Sequence, residues 1–80
     1  MIEREIMLGS IEDVKNFVNI TMSHNYDIEL VSGKYTINAK SIMGIFSVDL
    51  TKSLKMVANT EQGDSIEQEI LPYIYDPEKK

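Results

Sequence analysis

Apolar and polar residues alternate in four segments of the chain, and this pattern is typical of β-strands that bury one face. Ser32 and Gly33 separate the second segment from the third, and a turn that contains Gly between two alternating runs predicts a β-hairpin. The pattern therefore predicts four strands, of which the middle two are paired. The four segments are Ile2–Leu8, Tyr26–Leu30, Tyr35–Ala39 and Leu54–Ala58.

A first helix is predicted between the first two strands. Ser10 is a typical N-cap residue, Glu12 lies in the first turn, and Asp13 follows three residues after the cap. Apolar positions at spacings of three and four then form a stripe that ends near Ser23. This stripe should pack on the sheet, and it consists of Val14, Phe17, Val18, Thr21 and Met22.

Two shorter helices are predicted in the second half of the chain. One spans roughly residues 41–50. The other begins at Asp64 or Ser65, where Ser65 and Gln68 can form a capping box. It should end or bend just before Pro72, because proline has no backbone N–H to donate to the helix.

The predicted order of elements is therefore β-α-β-β-α-β-α. This order is typical of an α+β fold with a four-stranded antiparallel sheet and all three helices on one face. A chain of 80 residues fits a single domain, which we expect to span residues 1–75. Residues 76–80 are polar and predict a short C-terminal tail.

Composition excludes several classes of function. The net charge of −5 opposes binding to the nucleic-acid backbone. The absence of Cys excludes disulfides and thiolate metal sites and agrees with a cytoplasmic location, which we expect. No apolar run approaches the roughly 18 residues of a membrane span, so membrane insertion is not expected. His24 has Asp27 nearby but no clear third ligand, so neither a metal nor another cofactor is predicted.

One segment is apolar around its whole circumference. Six of the nine residues from 42 to 50 are apolar, whereas a helix on one face of a sheet buries only about half of its surface. Some of Ile42, Met43 and Phe46 should therefore be exposed. Contiguous exposed apolar side chains usually mark an interaction surface, and Met adapts readily to a partner. The alternative is that this helix packs unusually deeply.

The same segment resembles a known family. The string Lys-Ser-Ile-Met-Gly at residues 40–44 is similar to a string in HPr, the histidine-containing phosphocarrier of the bacterial sugar phosphotransferase system. The hairpin before it also resembles that of HPr, and the likeness extends from about Gly9 to Leu71. The resemblance implies the HPr-like fold, an open-faced β-sandwich with the element order predicted above. It does not imply an enzyme.

The resemblance fails at the residue that carries phosphate. HPr proteins have Gly-(Leu/Ile)-His-Ala-Arg-Pro-Ala at the start of the first helix, and the His receives phosphate from Enzyme I. Aligned from Gly9, this chain has Ile11 in place of the His and Asp13 in place of the Arg. Ile11 cannot be a nucleophile. Glu12 and Asp13 place negative charge at a helix N-terminus that would otherwise favour an anion, so no catalytic residue is predicted.

Ser41 is a candidate for regulatory phosphorylation. It matches the Ser that HPr kinase/phosphorylase modifies in Gram-positive members of the resembled family. An N-cap role alone would also explain a Ser at this position.

Three functions remain open on the sequence alone. The first is an HPr-like domain that does not carry phosphate and binds a protein, such as a phosphotransferase-system component or a regulator, through Ile42, Met43 and Phe46. The second is a phosphocarrier that uses a different acceptor. The third is an HPr-shaped domain with an unrelated structural or binding role.

Overall fold

A computed structural model describes residues 1–76, which contain four strands, three α-helices and a 3₁₀ turn. The predicted order of elements is confirmed. Apart from Asp76, the predicted tail lies outside the described residues. In chain order the elements are β1 (Ile2–Ile6), α1 (Ile11–Met22), β2 (Ile28–Ser32), β3 (Tyr35–Asn38), α2 (Ile42–Phe46), β4 (Leu54–Ala58), α3 (Ile66–Glu69) and the 3₁₀ turn (Leu71–Tyr73).

The strands form one antiparallel sheet in the order β1-β4-β2-β3. Ala58 of β4 lies between Ile2 of β1 and Ile28 of β2, so the last strand in sequence is central in the sheet. β2 and β3 form the predicted hairpin. Its turn contains Gly33 at φ 61°, a left-handed conformation that glycine adopts without steric cost.

Alternate strand residues point to the face of the sheet that the helices cover. The buried strand residues are Ile2, Ile6, Ile28, Leu30, Leu54, Met56 and Ala58. The helices bury Val14, Phe17, Val18, Ile45 and Ile66 against them. On the other face the strands expose Glu3, Glu5, Glu29 and Lys55. The prediction of an α+β fold with all three helices on one face is therefore confirmed.

Four strand limits differ from the predictions, because β1 ends at Ile6 instead of Leu8, β2 spans Ile28–Ser32 instead of Tyr26–Leu30, and β3 ends at Asn38 instead of Ala39. β1 stops at Ile6, and the backbone N–H of Met7 donates to the carbonyl oxygen of Tyr73 at 2.7 Å. β2 begins two residues after Tyr26, whose hydroxyl donates to Oδ1 of Asp64 at 2.8 Å. Both bonds connect the strands to the C-terminal part of the chain.

The helices also depart from the predicted limits. α2 ends at Phe46, and Ser47 Oγ donates to the carbonyl oxygen of Gly44 at 2.6 Å. Met22 is 64% exposed, so its assignment to the buried stripe of α1 was wrong. Pro72 lies in the 3₁₀ turn after α3, as its missing N–H requires. Within residues 1–76 no helix combines the length and the apolar character needed to cross a membrane.

Side-chain caps define the starts of α1 and α2. Ser10 Oγ accepts a hydrogen bond from the backbone N–H of Asp13 at 3.1 Å, as predicted. Ser41 Oγ accepts from the N–H of Gly44 at 3.2 Å. Each bond satisfies one of the helix N–H groups that have no partner within the helix.

The start of α3 is different, and the capping box predicted for Ser65 and Gln68 was wrong. The side chain of Ser65 makes no cap hydrogen bond. The preceding residue takes that role, because Asp64 Oδ1 accepts from the backbone N–H of Ile66 at 3.0 Å.

This difference between the caps predicts a difference in stability. Ser10→Ala and Ser41→Ala should each lower the free energy of unfolding by about 1 kcal/mol, because each leaves a helix N–H without its acceptor. Ser65→Ala is the matched control and should change it by less than about 0.3 kcal/mol. Urea unfolding measures all three variants. An equal loss at Ser65 would show that the cap hydrogen bonds are not the cause.

Candidate protein-binding surface on the second helix

The short helix α2 presents apolar side chains both to the core and to solvent. Ile45 is fully buried, whereas Met43 is 76% exposed and Phe46 is 41% exposed. Ile42 is half-buried and packs against the core. We call Ile42, Met43 and Phe46 the α2 surface. Residues three and four apart share one side of a helix, so Phe46 is a neighbour of both other members.

A glycine allows α2 to lie close to its own cap and to β3. A Cβ atom at Gly44 would be 3.2 Å from Ser41 Oγ and 3.9 Å from the Cβ of Ile37. The first distance is shorter than ordinary van der Waals contact, so a larger residue would require the Ser41 side chain to shift by a few tenths of an ångström. Gly44 therefore helps to fix the position of the α2 surface.

The segment before α2 is attached to the end of α1 by two hydrogen bonds. The hydroxyl of Thr21, which is fully buried, lies 2.9 Å from the carbonyl oxygen of Ala39. Nζ of Lys40 donates to the carbonyl oxygen of His24 at 2.7 Å. The α2 surface thus rests on a helix that is capped at its start and tied to the core.

The first turn of α1 holds the position where the resembled family has its phosphate acceptor. Ile11 is the first residue of α1 and is 64% exposed. Asp13 Oδ2 accepts from the backbone N–H of Gly9 at 3.1 Å, while the N–H of Asp13 donates to Ser10. The chain's own side chains therefore use donors at this N-terminus, and they add negative charge to it.

The structure brings the candidate residues of α2 together but does not join Ile11 to them. Ser41 precedes the α2 surface directly and is half-buried. Ile11 is ten residues from Thr21, which contacts the segment before α2. At 1.5 Å per residue this separates Ile11 from that contact by about 15 Å along α1.

The contacts of His24 indicate a structural role. Its Nε2 lies 2.7 Å from Glu69 Oε1 and its Nδ1 lies 3.9 Å from Asp64 Oδ1. Its ring lies against Tyr26 with a centroid distance of 5.1 Å. Among residues 1–76, no group of three or more His, Asp or Glu side chains is arranged to hold a metal ion. These contacts join the end of α1 to α3, and sequence periodicity cannot reveal them.

Asp64 is the centre of this polar cluster. Its Oδ1 accepts from the backbone N–H of Ile66 and from the Tyr26 hydroxyl, and its Oδ2 accepts from Thr60 Oγ1 at 3.1 Å. The N–H of Ile66 and then the Tyr26 hydroxyl lower the pKa of Asp64. Burial, together with the Asp64 carboxylate, raises the pKa of Tyr26. Near neutral pH the Asp64 carboxylate is therefore ionised and the Tyr26 hydroxyl keeps its proton, so this hydrogen bond is suited to a structural role.

Solved structures of HPr proteins share this fold. No family model and no curated protein matches the chain. Among solved structures, HPr-C-His from Thermoanaerobacter tengcongensis is 28% identical, with 88% of this chain and 83% of that chain covered and a TM-score of 0.65. A phosphocarrier protein HPr from Bacillus anthracis strain Ames is 19% identical, with 92% and 96% covered and a TM-score of 0.68.

These likenesses define the class of the protein. It is a small α+β protein with the fold of a phosphocarrier. More specifically, the chain is similar to HPr proteins over most of its length, which confirms the resemblance inferred from residues 40–44.

Proposed function

We propose that this HPr-like protein binds another protein through the α2 surface and does not carry phosphate. The observation that carries the proposal is the contrast within α2, where Ile45 is fully buried while Met43 is 76% exposed. A solvent-exposed Met beside a half-exposed Phe on a fixed helix has little value for folding. It can stabilise a complex, because burying such side chains against a partner contributes about 1.5–3 kcal/mol each.

Two features support the absence of phosphate transfer. By the resemblance, Ile11 takes the place of the phosphate acceptor, and its side chain has no nucleophilic atom. The carboxylates of Glu12 and Asp13 add negative charge at the same helix end, where they repel an incoming phosphoryl group. In this proposal the protein acts by binding rather than by phosphate transfer, and it is not an enzyme.

The proposed partner is a protein of the phosphotransferase system or a regulator connected with it, and the proposed setting is the cytoplasm. This assignment rests on the partners of HPr proteins, the family that the chain resembles. The net charge of −5 opposes nucleic acid as the alternative partner.

Ser41 is the proposed control point of this interaction. It lies immediately before Ile42, so a phosphate on its Oγ would place about two negative charges next to the α2 surface. The modification would also replace the cap bond to Gly44, whose N–H now donates to the Ser41 hydroxyl at 3.2 Å. Phosphorylation should therefore change partner affinity through charge beside an apolar contact.

The binding proposal predicts a specific loss of affinity. A tagged chain is used to capture partners from the source organism, the captured protein is identified by mass spectrometry, and its purified form is titrated against variants. Met43→Ser should weaken binding at least about tenfold, which is the size of effect expected for a well-covered apolar contact.

Met22→Ser is the matched control for this titration. Met22 is also exposed, at 64%, but it lies on α1 and outside the α2 surface. Its substitution should leave the affinity unchanged. Equal affinity of the wild type and Met43→Ser, or equal losses for both variants, would contradict the assignment of the interface.

A further inference from the structure

A cavity outside the α2 surface has no role in the proposed interaction. It has a volume of about 520 Å³ and opens to solvent between the β2–β3 turn and the loop that follows α2. Pockets for small organic ligands commonly have volumes of about 300–1,000 Å³. We call it the hairpin cavity, and its lining includes Gly33, Lys34, Tyr35, Ile37, Val48 and Lys52.

The walls of the hairpin cavity are mainly apolar. Tyr35 and Ile37 are alternate residues of β3, so they share one face of the strand. Val48 faces them from the loop after α2. Tyr35 is 65% exposed, which leaves its ring available to cover one face of a ligand.

The polar groups of the hairpin cavity favour an anion. Neither Lys34 nor Lys52 belongs to an ion pair within the described part of the chain. The one acidic residue of the lining, Asp49, accepts from the N–H and hydroxyl of Thr51 at 3.0 Å and 2.5 Å. These bonds and then the charge of Lys52 lower the pKa of Asp49, and the two lysines leave the lining with an excess of positive charge.

We propose that the hairpin cavity binds a small organic anion with an apolar ring. The carboxylate or phosphate group would lie between Lys34 and Lys52, and the ring would lie against Tyr35, Ile37 and Val48. A charged head group gives orientation and the apolar body gives contact area, which is the usual division of roles in ligand pockets. This proposal does not depend on a protein partner at the α2 surface.

The test is an NMR titration of the isotope-labelled chain with three probes. Naphthoate and naphthyl phosphate carry the two possible anionic groups, and naphthalene methanol is the neutral analogue. At least one anion should bind with Kd below about 1 mM, as expected for a ligand of this size. The bound anion should shift the amide signals of Gly33 and Val48, and added salt should weaken its binding. The anion that binds more tightly identifies the head group.

Variants separate this site from general binding to a small protein. Lys34→Gln and Lys52→Gln should each weaken the anion about threefold to fivefold, which is the upper range for solvent-exposed charge pairs. Lys15→Gln, a lysine on α1 away from the cavity, should have no effect. All three residues are exposed, so folding should be retained. The proposal is overturned by equal affinity for the neutral probe, by equal loss at Lys15, or by the absence of saturable shifts.

Discussion

Ile45→Ser should lower the free energy of unfolding by about 3–5 kcal/mol, whereas Met43→Ser should change it by less than about 0.5 kcal/mol. The two residues lie in the same five-residue helix. Ile45 is fully buried, so its truncation removes core contacts and leaves a hydroxyl in an apolar cavity. Met43 is 76% exposed, so its substitution removes few core contacts.

Urea unfolding of the two variants measures this contrast. Val18→Ser, in the buried stripe of α1, should behave like Ile45→Ser. A domain of this size has a total stability of about 4–12 kcal/mol, so both variants stand to lose a large share of it. If Ile45→Ser does not fold, Ile45→Val should still lower the stability by about 0.5–1.5 kcal/mol. A loss at Met43 equal to that at Val18 would place Met43 in the core and remove the basis of the α2 surface.

Phosphate transfer from Enzyme I should require more than a new acceptor. Ile11→His alone should be phosphorylated poorly, because Glu12 and Asp13 still place negative charge at the start of α1. Ile11→His with Asp13→Arg should be at least about tenfold faster, since this reverses one charge and releases the Gly9 N–H that Asp13 now accepts. Intact-mass measurement over time gives both rates.

A charge-matched variant controls for the net charge of the chain. Ile11→His with Glu61→Arg changes the total charge by the same amount at an exposed residue in a different part of the chain. It should react as slowly as Ile11→His alone. Equal rates for the single variant and the Asp13→Arg double variant would show that local charge does not silence this position.

Local sequence patterns were sufficient to predict most of the fold. Strand alternation depends only on nearest neighbours, so the start of β1 at Ile2 and both limits of β4 were predicted correctly. The start of α1 was also predictable, because its capping bonds are local. Ser10 Oγ accepts from the N–H of Asp13, and the Asp13 carboxylate accepts from the N–H of Gly9. The exposure of Met43 was predictable because apolar residues surround the second helix, whereas one face of a sheet covers only part of its circumference.

Features that depend on distant residues were not predictable in this way. His24 bonds with Glu69, 45 residues later, and Tyr26 bonds with Asp64, 38 residues later. No periodicity within a single element contains that information. The Asp64 carboxylate also takes the capping role that was predicted for Ser65.

The hairpin cavity was missed for the same reason. Lys34 and Lys52 lie on separate loops, 18 positions apart in the sequence, and come to one cavity only through the packing of β3 beside the end of α2. Each lysine alone has the appearance of an ordinary surface residue.

Incubation with Enzyme I distinguishes a chain that does not carry phosphate, as we propose, from a phosphocarrier. The chain is incubated with Enzyme I and phosphoenolpyruvate beside an HPr protein that is phosphorylated in the same mixture, and the intact masses are then recorded. We expect the HPr protein to gain one phosphoryl group while the mass of this chain stays unchanged. An acid-labile phosphoryl group on this chain would contradict the proposal.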